Sequence, residues 1–380
     1  MGSNILILSH EYPPYAFGGV ATFTKELAEY LHQQGHKVYV VAGRTEKGVI
    51  VEKHGPTIIR ASFPDIPIRS LWYSIFASQM IQKIAHKVDT IIINNTIEGI
   101  SGHLKNKKII VIVHGTIEAL LSYWRYAVLK KDATWSLNPV DYTYYTLYTY
   151  LLHQSTKHEL ENADHIVAVA HHVKHEILNL YKSVPNKKIK VIYTGINYKK
   201  LKSTNYKKIE KRHKLIIAYV GRLYFTKGIT YALQAFKILQ AEHRKNAEMW
   251  VFGDGPIRQW VEKYINKNGL NIKLFGKIHR DTLLSLLPNV DVLLFPSLYE
   301  GSPYALMEAN AVGVPVVTWS IPWAQEFVAD NINGMKAIFL NTTDLGEKLI
   351  DAISINKLQV VNFAKRWDRD SLWKTFLEIV

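Results

Sequence analysis

Glu300 and Glu308 bracket a segment in which a strand is expected to pass into a helix. The apolar run 290–295 is typical of a buried strand, and the proline after it ends the strand. Ser302 followed by Pro303 predicts a helix with Ser302 as its N-cap and Pro303 as its first residue. Glu300 would then lie just before the helix N-terminus, and Glu308 about a turn and a half inside the helix.

The start of this helix is the part of the segment that could bind an anion. The backbone amides of Gly301, Tyr304 and Ala305 would point out of the helix end, where the helix dipole favours negative charge. Two carboxylates beside a phosphate site suit a ligand that is half phosphate and half polyol. A nucleotide-sugar has this composition, and Ser302 and Pro303 would complete its binding loop.

A second set of charged residues lies in the segment 221–228, which follows a predicted strand and precedes a helix. Arg222 could make bidentate contacts with a phosphate, and Lys227 could act as a point charge, so together they could neutralise a diphosphate. Asp368 and Asp370 have the spacing of a metal-binding pair, but they fall in the terminal helix, away from any strand end. We therefore expect no metal ion and no other cofactor, and cations and helix-end amides would stabilise a leaving nucleoside diphosphate.

Two further candidate sites come from the first half of the chain. Gly18 and Gly19 close a loop between the first strand and a helix, where a backbone without side chains can approach a phosphate. The dinucleotide fingerprint G-x-G-x-x-G is absent. His114 ends a predicted strand, where it could hydrogen-bond a sugar hydroxyl or transfer a proton, with a purely structural role as the alternative.

These residues are positioned by an alternation of apolar runs and amphipathic segments along the chain. Continuous Ile/Val runs separated by helices are typical of parallel sheets covered on both faces. The predicted strands are 5–9, 38–42, 90–94, 109–114, 165–168 and 190–193, then 215–220, 249–252, 272–275, 290–295 and 314–318. The predicted helices are 20–34, 78–86, 141–162 and 173–181, then 229–242, 257–268, 281–287, 303–312 and 343–354.

This pattern predicts an α/β protein with two doubly wound, Rossmann-like domains, residues 1–198 and 199–362. Such sheets bind ligands beyond the carboxyl ends of their strands, so we expect the site in a deep cleft between the domains. Residues 363–380 are amphipathic, with Trp367, Trp373 and Phe376 on one side. We expect this segment to cross back onto the first domain.

The composition indicates a basic globular protein. The formal net charge is +15, from 47 Lys and Arg against 32 Asp and Glu, which favours anionic partners such as phosphorylated substrates or acidic lipids. The basic run 199–214 is predicted to be a solvated linker. The chain has no cysteine, no apolar stretch of the roughly 20 residues that span a bilayer, and no visible signal peptide. A cytoplasmic location is expected.

The tyrosine-rich segment 141–152 is predicted to be a helix buried against the sheet. The alternative is that its aromatic side chains, with Lys130, Lys131 and Trp135, line an acceptor groove or rest on a membrane surface.

Taken together, the motifs resemble those of group-one, family-four glycosyltransferases, which have the two-domain GT-B architecture. The resemblance extends along nearly the full chain and is specific because the motifs occur in one order. They are Pro13-Pro14 with Gly18-Gly19, Gly221-Arg222 with Lys227-Gly228, Gly253-Asp-Gly-Pro256, the pair Glu300 and Glu308, Glu326, and Asn333-Gly334.

The resemblance implies transfer of a sugar from a nucleotide donor with retention of anomeric configuration and without a catalytic metal. Arg222 and Lys227 would hold the donor diphosphate, Glu308 the ribose hydroxyls and Glu300 the transferred sugar. Gly19 would approach the phosphate, and His114 would touch the sugar or the acceptor.

Two departures from the family pattern stand out. Gly115 follows His114 where some relatives carry an aspartate, which weakens the case for a catalytic His–Asp pair. Trp319-Ser-Ile-Pro-Trp323 replaces a glycine-rich turn, so the sugar preference could differ.

The sequence leaves several alternatives open. The same fold serves glycoside phosphorylases and nucleotide-sugar epimerases, and a non-catalytic polyanion-binding protein is a third candidate. Binding of nucleic acid is not expected, because the basic residues form no recognised nucleic-acid module. The donor could be UDP-, GDP- or ADP-linked. The acceptor is expected to be a glycan, with a lipid-linked glycan at the inner face of the cell membrane as the favoured form. The sequence does not predict the oligomeric state.

Overall fold

A computed structural model of the chain describes residues 2–15, 18–43, 50–53, 55–61, 69–94, 106–119, 121–122, 139–202, 214–243 and 246–380. Two compact units divide the chain. Unit 1 consists of Met1–Thr116, Leu137–Thr194 and Leu372–Val380, and unit 2 consists of Ile117–Ser136 and Gly195–Ser371.

Unit 1 is built on an eight-stranded sheet in the order β3-β4-β2-β1-β5-β6-β7-β8. Its strands are β1 (Asn4–Ser9), β2 (Lys37–Gly43), β3 (Ile50–Lys53), β4 (Thr57–Ala61), β5 (Thr90–Asn94), β6 (Lys108–Val113), β7 (His165–Ala168) and β8 (Ile189–Val191). All neighbours are parallel except the edge pair β3 and β4. The central strands are buried along most of their length, as expected for a sheet covered on both faces.

The helices of unit 1 separate these parallel strands. They are α1 (Gly19–Gln33), α2 (Arg69–Ile84), α3 (Pro139–Asn162) and α4 (His171–Leu180). Helix α1 buries an apolar face that includes Phe23, Leu27 and Leu31, and this face holds it against the sheet.

Unit 2 is built on a six-stranded parallel sheet in the order β11-β10-β9-β12-β13-β14. Its strands are β9 (Leu215–Val220), β10 (Ala247–Phe252), β11 (Ile272–Gly276), β12 (Val292–Leu294), β13 (Val316–Trp319) and β14 (Gly334–Ala337). Its helices are α5 (Tyr198–Lys202), α6 (Ile229–Ile238), α7 (Arg258–Asn268), α8 (Arg280–Leu286), α9 (Tyr304–Ala311), α10 (Pro322–Phe327), α11 (Thr342–Ile353) and α12 (Lys357–Ala364). The chain ends with α13 (Arg369–Leu372) and α14 (Lys374–Leu377).

The prediction of two Rossmann-like α/β domains is confirmed, and every predicted strand and helix overlaps an observed one. Three strands were missed, namely β3, β4 and β14. They are short and carry polar or glycine residues, so they lack the apolar run or the strict alternation that identifies a strand. The basic run 199–214 begins with α5, and residues 203–213 of it lie outside the described part of the chain.

The C-terminal segment is divided between the two units, whereas the sequence predicted a single element on the first domain. Trp367 stacks on Phe327 within unit 2, with the ring centroids 5.0 Å apart. Trp373 belongs to unit 1, where its ring lies edge-on to Phe23 at 5.4 Å and its Nε1 donates to the Tyr193 carbonyl. The division falls between Ser371 and Leu372, and the earlier crossing of the chain falls between residues 194 and 195 instead of 198 and 199.

The tyrosine-rich segment forms helix α3 as predicted, but among its described side chains the predicted burial against the sheet is only partial, because Leu152 is buried and an apolar face is exposed. Leu147, Tyr150 and Leu151 are 61%, 62% and 55% exposed and lie at i, i+3 and i+4 on one side of the helix. Residues 130, 131 and 135, which were considered with this helix, lie outside the described residues. None of the helices in the described part of the chain is both long and apolar enough to span a bilayer.

Candidate active site

The loop that carries Arg222 and Lys227 is held by a buried tyrosine from the preceding strand. The hydroxyl of Tyr219 lies 3.1 Å from the carbonyl oxygens of both Arg222 and Lys227, so that its one hydrogen is shared between them. Burial raises the pKa of Tyr219 well above its ordinary value, so the hydroxyl keeps its proton. One side chain that the sequence did not single out therefore fixes both cationic positions of the loop.

A second set of contacts joins this loop to the segment that leads to Glu300. The carbonyl of Thr226 accepts a hydrogen bond from the Leu298 amide at 2.9 Å, and the Ser297 hydroxyl lies 3.3 Å from it. Gly228 has φ +71°, and a Cβ at this position would lie 1.9 Å from the Pro296 carbonyl oxygen. The close approach of the two loops therefore requires glycine at position 228.

This approach brings two predicted site residues into direct contact. The Lys227 ammonium lies 2.7 Å from Oε1 of Glu300, and both side chains are partly buried. Arg222 extends from the same loop, and its side chain is exposed and forms no ion pair within the described residues. The loop thus offers one cation that a carboxylate already balances and one that water solvates.

The helix after Glu300 begins one residue later than predicted, because Pro303 is its N-cap and Tyr304 its first residue. The prediction of Ser302 as the N-cap is wrong. Pro303 has the extended conformation, with φ −79° and ψ 97°, and the Met307 amide makes the first bond of the helix, to the Pro303 carbonyl. Gly301 and Ser302 precede this helix end, and Ala305 follows in its first turn.

Glu308 is paired with an arginine that the sequence analysis missed. Nε of Arg280 donates to Oε1 of Glu308 at 2.6 Å, and its Nη2 also contacts this oxygen. The Arg280 guanidinium lies 5.2 Å from the ring centroid of Tyr304, one turn before Glu308. Glu308 is only 3% exposed, so its charge needs such a partner. Neither the burial of Glu308 nor its arginine partner was predicted from the sequence.

In unit 1, His114 follows β6 and contacts Asn94 at the end of the neighbouring strand β5. Nε2 of His114 lies 2.8 Å from Oδ1 of Asn94, and the imidazole ring meets the Phe23 ring edge-on at 4.9 Å. Burial lowers the pKa of His114 to about 4, so the ring is neutral at neutral pH. Sequence reasoning did not identify Asn94.

The loop before α1 has a carboxylate at the position where a phosphate was predicted. The amide of Gly18, the N-cap of α1, donates to Oε2 of Glu11 at 3.2 Å. Gly19 is the first residue of the helix. A Cβ on Gly18 would meet no atom within 4 Å, so the described structure does not itself require glycine there. The phosphate role of both glycines stays a prediction.

The segments 253–256 and 319–323 are part of the packed scaffold of unit 2. Asp254, in the turn after β10, accepts the Leu223 amide through its carbonyl at 3.0 Å, which supports a structural role for the turn 253–256. Trp319 and Trp323 are buried, and Nε1 of Trp319 donates to the Pro296 carbonyl at 3.0 Å. Their indole rings therefore have no exposed surface with which to contact a sugar.

Within the described ranges, no three His, Cys, Asp or Glu side chains lie together as a metal site requires. The sequence pair Asp368 and Asp370 is engaged in local contacts. Asp368 accepts from the Ser371 hydroxyl, and Asp370 pairs with Arg369.

Family comparisons agree with this arrangement. Residues 202–368 match the family described as Glycosyl transferases group 1, and residues 17–200 match Glycosyltransferase Family 4. These two matches together cover most of the chain and place it in the group 1 glycosyltransferases. Its two Rossmann-like units are those of the GT-B fold.

Individual relatives are distant but extensive. An uncharacterized glycosyltransferase of Methanocaldococcus jannaschii is 27% identical over 87% of this chain and 84% of its own length. The capsular polysaccharide biosynthesis glycosyltransferase CapM of Staphylococcus aureus is 29% identical over 57% of this chain and 63% of its own. The crystal structure of Anabaena HepE in complex with UDP-glucose has a TM-score of 0.70 and 15% identity, and covers 99% of this chain and 98% of that chain.

Proposed function

We propose that the protein is a retaining glycosyltransferase that moves a sugar from a nucleoside diphosphate donor to an acceptor hydroxyl during glycan, polysaccharide or glycolipid assembly. The observation that carries the proposal is the cluster at the strand ends of unit 2. Arg222, Lys227 and the start of α9 would bind phosphate, while Glu300 and Glu308 would bind hydroxyls. The relative HepE, whose structure contains UDP-glucose, supports a nucleotide-sugar as the donor.

The charges of the cluster suit this donor. Arg222, Lys227 and Arg280 supply three positive charges, and Glu300 and Glu308 two negative ones, so the cluster carries a net charge of about +1. A diphosphate would be attracted, and the charge that develops on it as the glycosidic bond breaks would be stabilised by fixed cations and helix-end amides. These groups act without a divalent ion, so we expect metal-independent transfer.

The chemical step requires one bond to form and one to break at the anomeric carbon. The acceptor oxygen bonds to this carbon on the face that the leaving phosphate occupied, and the carbon–oxygen bond to the diphosphate breaks. The departing phosphate oxygen takes the proton of the acceptor hydroxyl. Retention of the anomeric configuration follows, because the nucleophile and the leaving group share one face.

A donor screen tests the proposal. Thermal shift with UDP-, GDP- and ADP-sugars should reveal one class that raises the melting temperature, because a ligand that binds the folded state stabilises it. With that donor and a glycan acceptor, NMR should show a product of the same anomeric configuration in the presence of EDTA. Conversion of the donor without an acceptor would instead indicate an epimerase. Dependence on phosphate and glycan alone would indicate a phosphorylase.

The exposed face of α3 supports a lipid-linked acceptor at an anionic membrane surface. Leu147, Tyr150 and Leu151 could insert among lipid headgroups, and the net charge of +15 would favour acidic lipids. Such binding would place the protein at the inner face of the cell membrane.

Co-sedimentation with vesicles of phosphatidylglycerol and phosphatidylcholine tests this membrane binding, and the variant Leu147→Glu/Leu151→Glu should lose it. Equal sedimentation of the variant and the native protein would contradict the role of this face. Retention of either protein by nucleic acid, without affinity for nucleotide-sugars, would support the polyanion-binding alternative.

A further inference from the structure

The side chain of Asn94 has its amide orientation fixed by two hydroxyl groups. Asn94 is fully buried, and its Nδ2 donates to Oγ1 of Thr24 at 2.8 Å and lies 3.5 Å from Oγ of Ser9. The Thr24 hydroxyl donates its hydrogen to the Val20 carbonyl at 2.7 Å, and the Ser9 hydroxyl donates either to the Glu11 carbonyl at 2.9 Å or to Oγ1 of Thr24 at 3.0 Å. A hydroxyl has one hydrogen, so both present lone pairs to Asn94, and these lone pairs require the NH2 side of the amide.

The orientation of this amide determines the tautomer of His114. With Nδ2 of Asn94 directed to the hydroxyls, Oδ1 faces Nε2 of His114 at 2.8 Å. A carbonyl oxygen only accepts hydrogen bonds, so Nε2 must carry the hydrogen. A neutral imidazole has one N–H, which makes Nδ1 a hydrogen-bond acceptor. Because burial lowers the pKa of His114 to about 4, the neutral form prevails at neutral pH.

Helix α1, which carries Thr24, also holds the plane of the His114 ring through Phe23. Phe23 precedes Thr24 on α1, and its ring meets that of His114 edge-on at an interplanar angle of 81°. Phe23 is supported in turn by Trp373 and Phe376, whose ring centroids lie 5.4 and 6.4 Å from its own. Helix α1 therefore fixes the ring through Phe23 and its hydrogen-bonding pattern through Thr24.

We propose that Asn94 is a positioning residue that holds His114 as the Nε2–H tautomer, so that Nδ1 accepts a hydrogen bond from a hydroxyl group of the transferred sugar or of the acceptor. This rests on the proposed function for the identity of the ligand, but the tautomer does not depend on it. It also restricts the chemistry of His114. In this state Nδ1 carries no hydrogen, so it cannot donate a proton to a leaving group at neutral pH.

The carboxylates on the neighbouring segments are engaged in contacts of their own. Oε2 of Glu11 accepts the Gly18 amide, and Oε2 of Glu176 accepts the Thr116 hydroxyl two residues after His114. Burial is the cause of the low pKa of His114, so a carboxylate introduced at position 94 would be a new and direct charge partner.

The first test reads the tautomer directly. In 15N NMR spectra of histidine-labelled protein, with the His114 signals assigned by comparison with His114→Gln, Nε2 should be protonated and Nδ1 unprotonated at pH 7. Asn94→Ala should shift both signals toward the average of an exchanging mixture, and Thr24→Val should do so to a smaller extent. A protonated Nδ1 in the native protein would overturn the inference. This measurement needs no turnover, so failure of the proposed glycosyltransferase activity would leave it decisive.

The second test uses kinetics. Asn94→Asp preserves the shape of the side chain but places a carboxylate against Nε2, which favours the imidazolium and raises the pKa of His114. Its activity should therefore fall as the pH decreases through the new pKa, whereas the native enzyme should show no such limb above about pH 5. Asn94→Ala should raise KM about tenfold for the substrate whose hydroxyl binds Nδ1, either the sugar donor or the acceptor. Tenfold corresponds to the loss of about one hydrogen bond. An Asn94→Asp enzyme with the native pH profile would contradict the positioning role, even if Asn94→Ala fails to fold.

Discussion

The ammonium group of Lys227 lies 2.7 Å from the carboxylate of Glu300, although 73 residues separate them in the chain. The contact joins the residue proposed to hold the donor diphosphate to the residue proposed to hold the transferred sugar. Glu300 thus places negative charge where the phosphate is expected, and it orients Lys227 before the donor arrives. On donor binding, the Lys227 ammonium would leave Glu300 for the phosphate or contact both. The donor would not have to order a flexible, solvated lysine.

Removal of this ammonium group should slow turnover strongly. Lys227→Ala is expected to lower kcat by about 100-fold or more, because a preorganised charge that stabilises a leaving group contributes on this scale. The matched control is Lys237→Ala, which should retain activity. Lys237 is an exposed residue of α6 whose ammonium donates to Oδ1 of Asn268. A transfer assay with radiolabelled donor measures both variants. Turnover of Lys227→Ala within a few-fold of the native enzyme would remove the diphosphate role.

Loss of Arg280 should destabilise the protein. Arg280→Ala leaves the buried carboxylate of Glu308 without its guanidinium partner, which we expect to lower the free energy of unfolding by about 3 kcal/mol. The matched control is Arg258→Ala, which breaks partly exposed pairs with Asp254 and Glu262 and should lower the stability far less. Urea unfolding compares the two. Equal losses would show that burial of Glu308 has no special cost.

Two glycines should respond to alanine in opposite ways. Gly18→Ala has room for its Cβ, so it should fold with a native melting temperature but bind the nucleotide-sugar more weakly if the backbone approaches the phosphate. Gly228→Ala would clash with the Pro296 carbonyl in a left-handed conformation and should lose more than about 3 kcal/mol of stability. Thermal unfolding and nucleotide titration separate the effects. Native nucleotide affinity in Gly18→Ala would exclude the proposed close approach.

A buried carboxylate far from the motifs should make the stability of the protein depend on pH. Burial alone would raise the pKa of Glu248, but hydrogen bonds from Lys273, Trp250 and Lys214, at 2.7, 2.8 and 3.0 Å, outweigh it and lower the pKa to about 2. The unfolded chain has the ordinary value near 4.5. The stabilisation is therefore complete above about pH 5 and is lost as the pH falls toward 2. Because both lysine partners are largely exposed and screened by solvent, we expect its total to be about 1–2 kcal/mol.

Glu248→Gln tests this dependence, because an amide in place of the carboxylate does not titrate. The variant should be less stable than the native protein at pH 7, and its free energy of unfolding should change less between pH 5 and pH 3. Denaturant titrations at several pH values, followed by tryptophan fluorescence, supply the measurement. Parallel pH curves for the variant and the native protein would assign the acid sensitivity to other carboxylates.

Much of the fold was readable from local patterns. The runs 90–94, 165–168 and 215–220 coincide with strands β5, β7 and β9, because a strand buried on both faces needs uninterrupted apolar residues. Residue type was a less reliable guide to the start of α9. Serine is a common N-cap residue, but the extended Pro303 after Ser302 takes that position. Capping preferences differ by too little free energy to fix a helix end to one residue.

The order of motifs along the chain also predicted the glycosyltransferase family, through the resemblance of these motifs to those of that family. The contact partners of the site residues came from the folded chain alone. Arg280 and Glu308 are 28 residues apart, Asn94 and His114 are 20, and Lys227 and Glu300 are 73. Charge pairing and tautomer selection depend on distances of a few ångströms between side chains. For residues so far apart in the sequence, only the packing of the strands into sheets decides these distances.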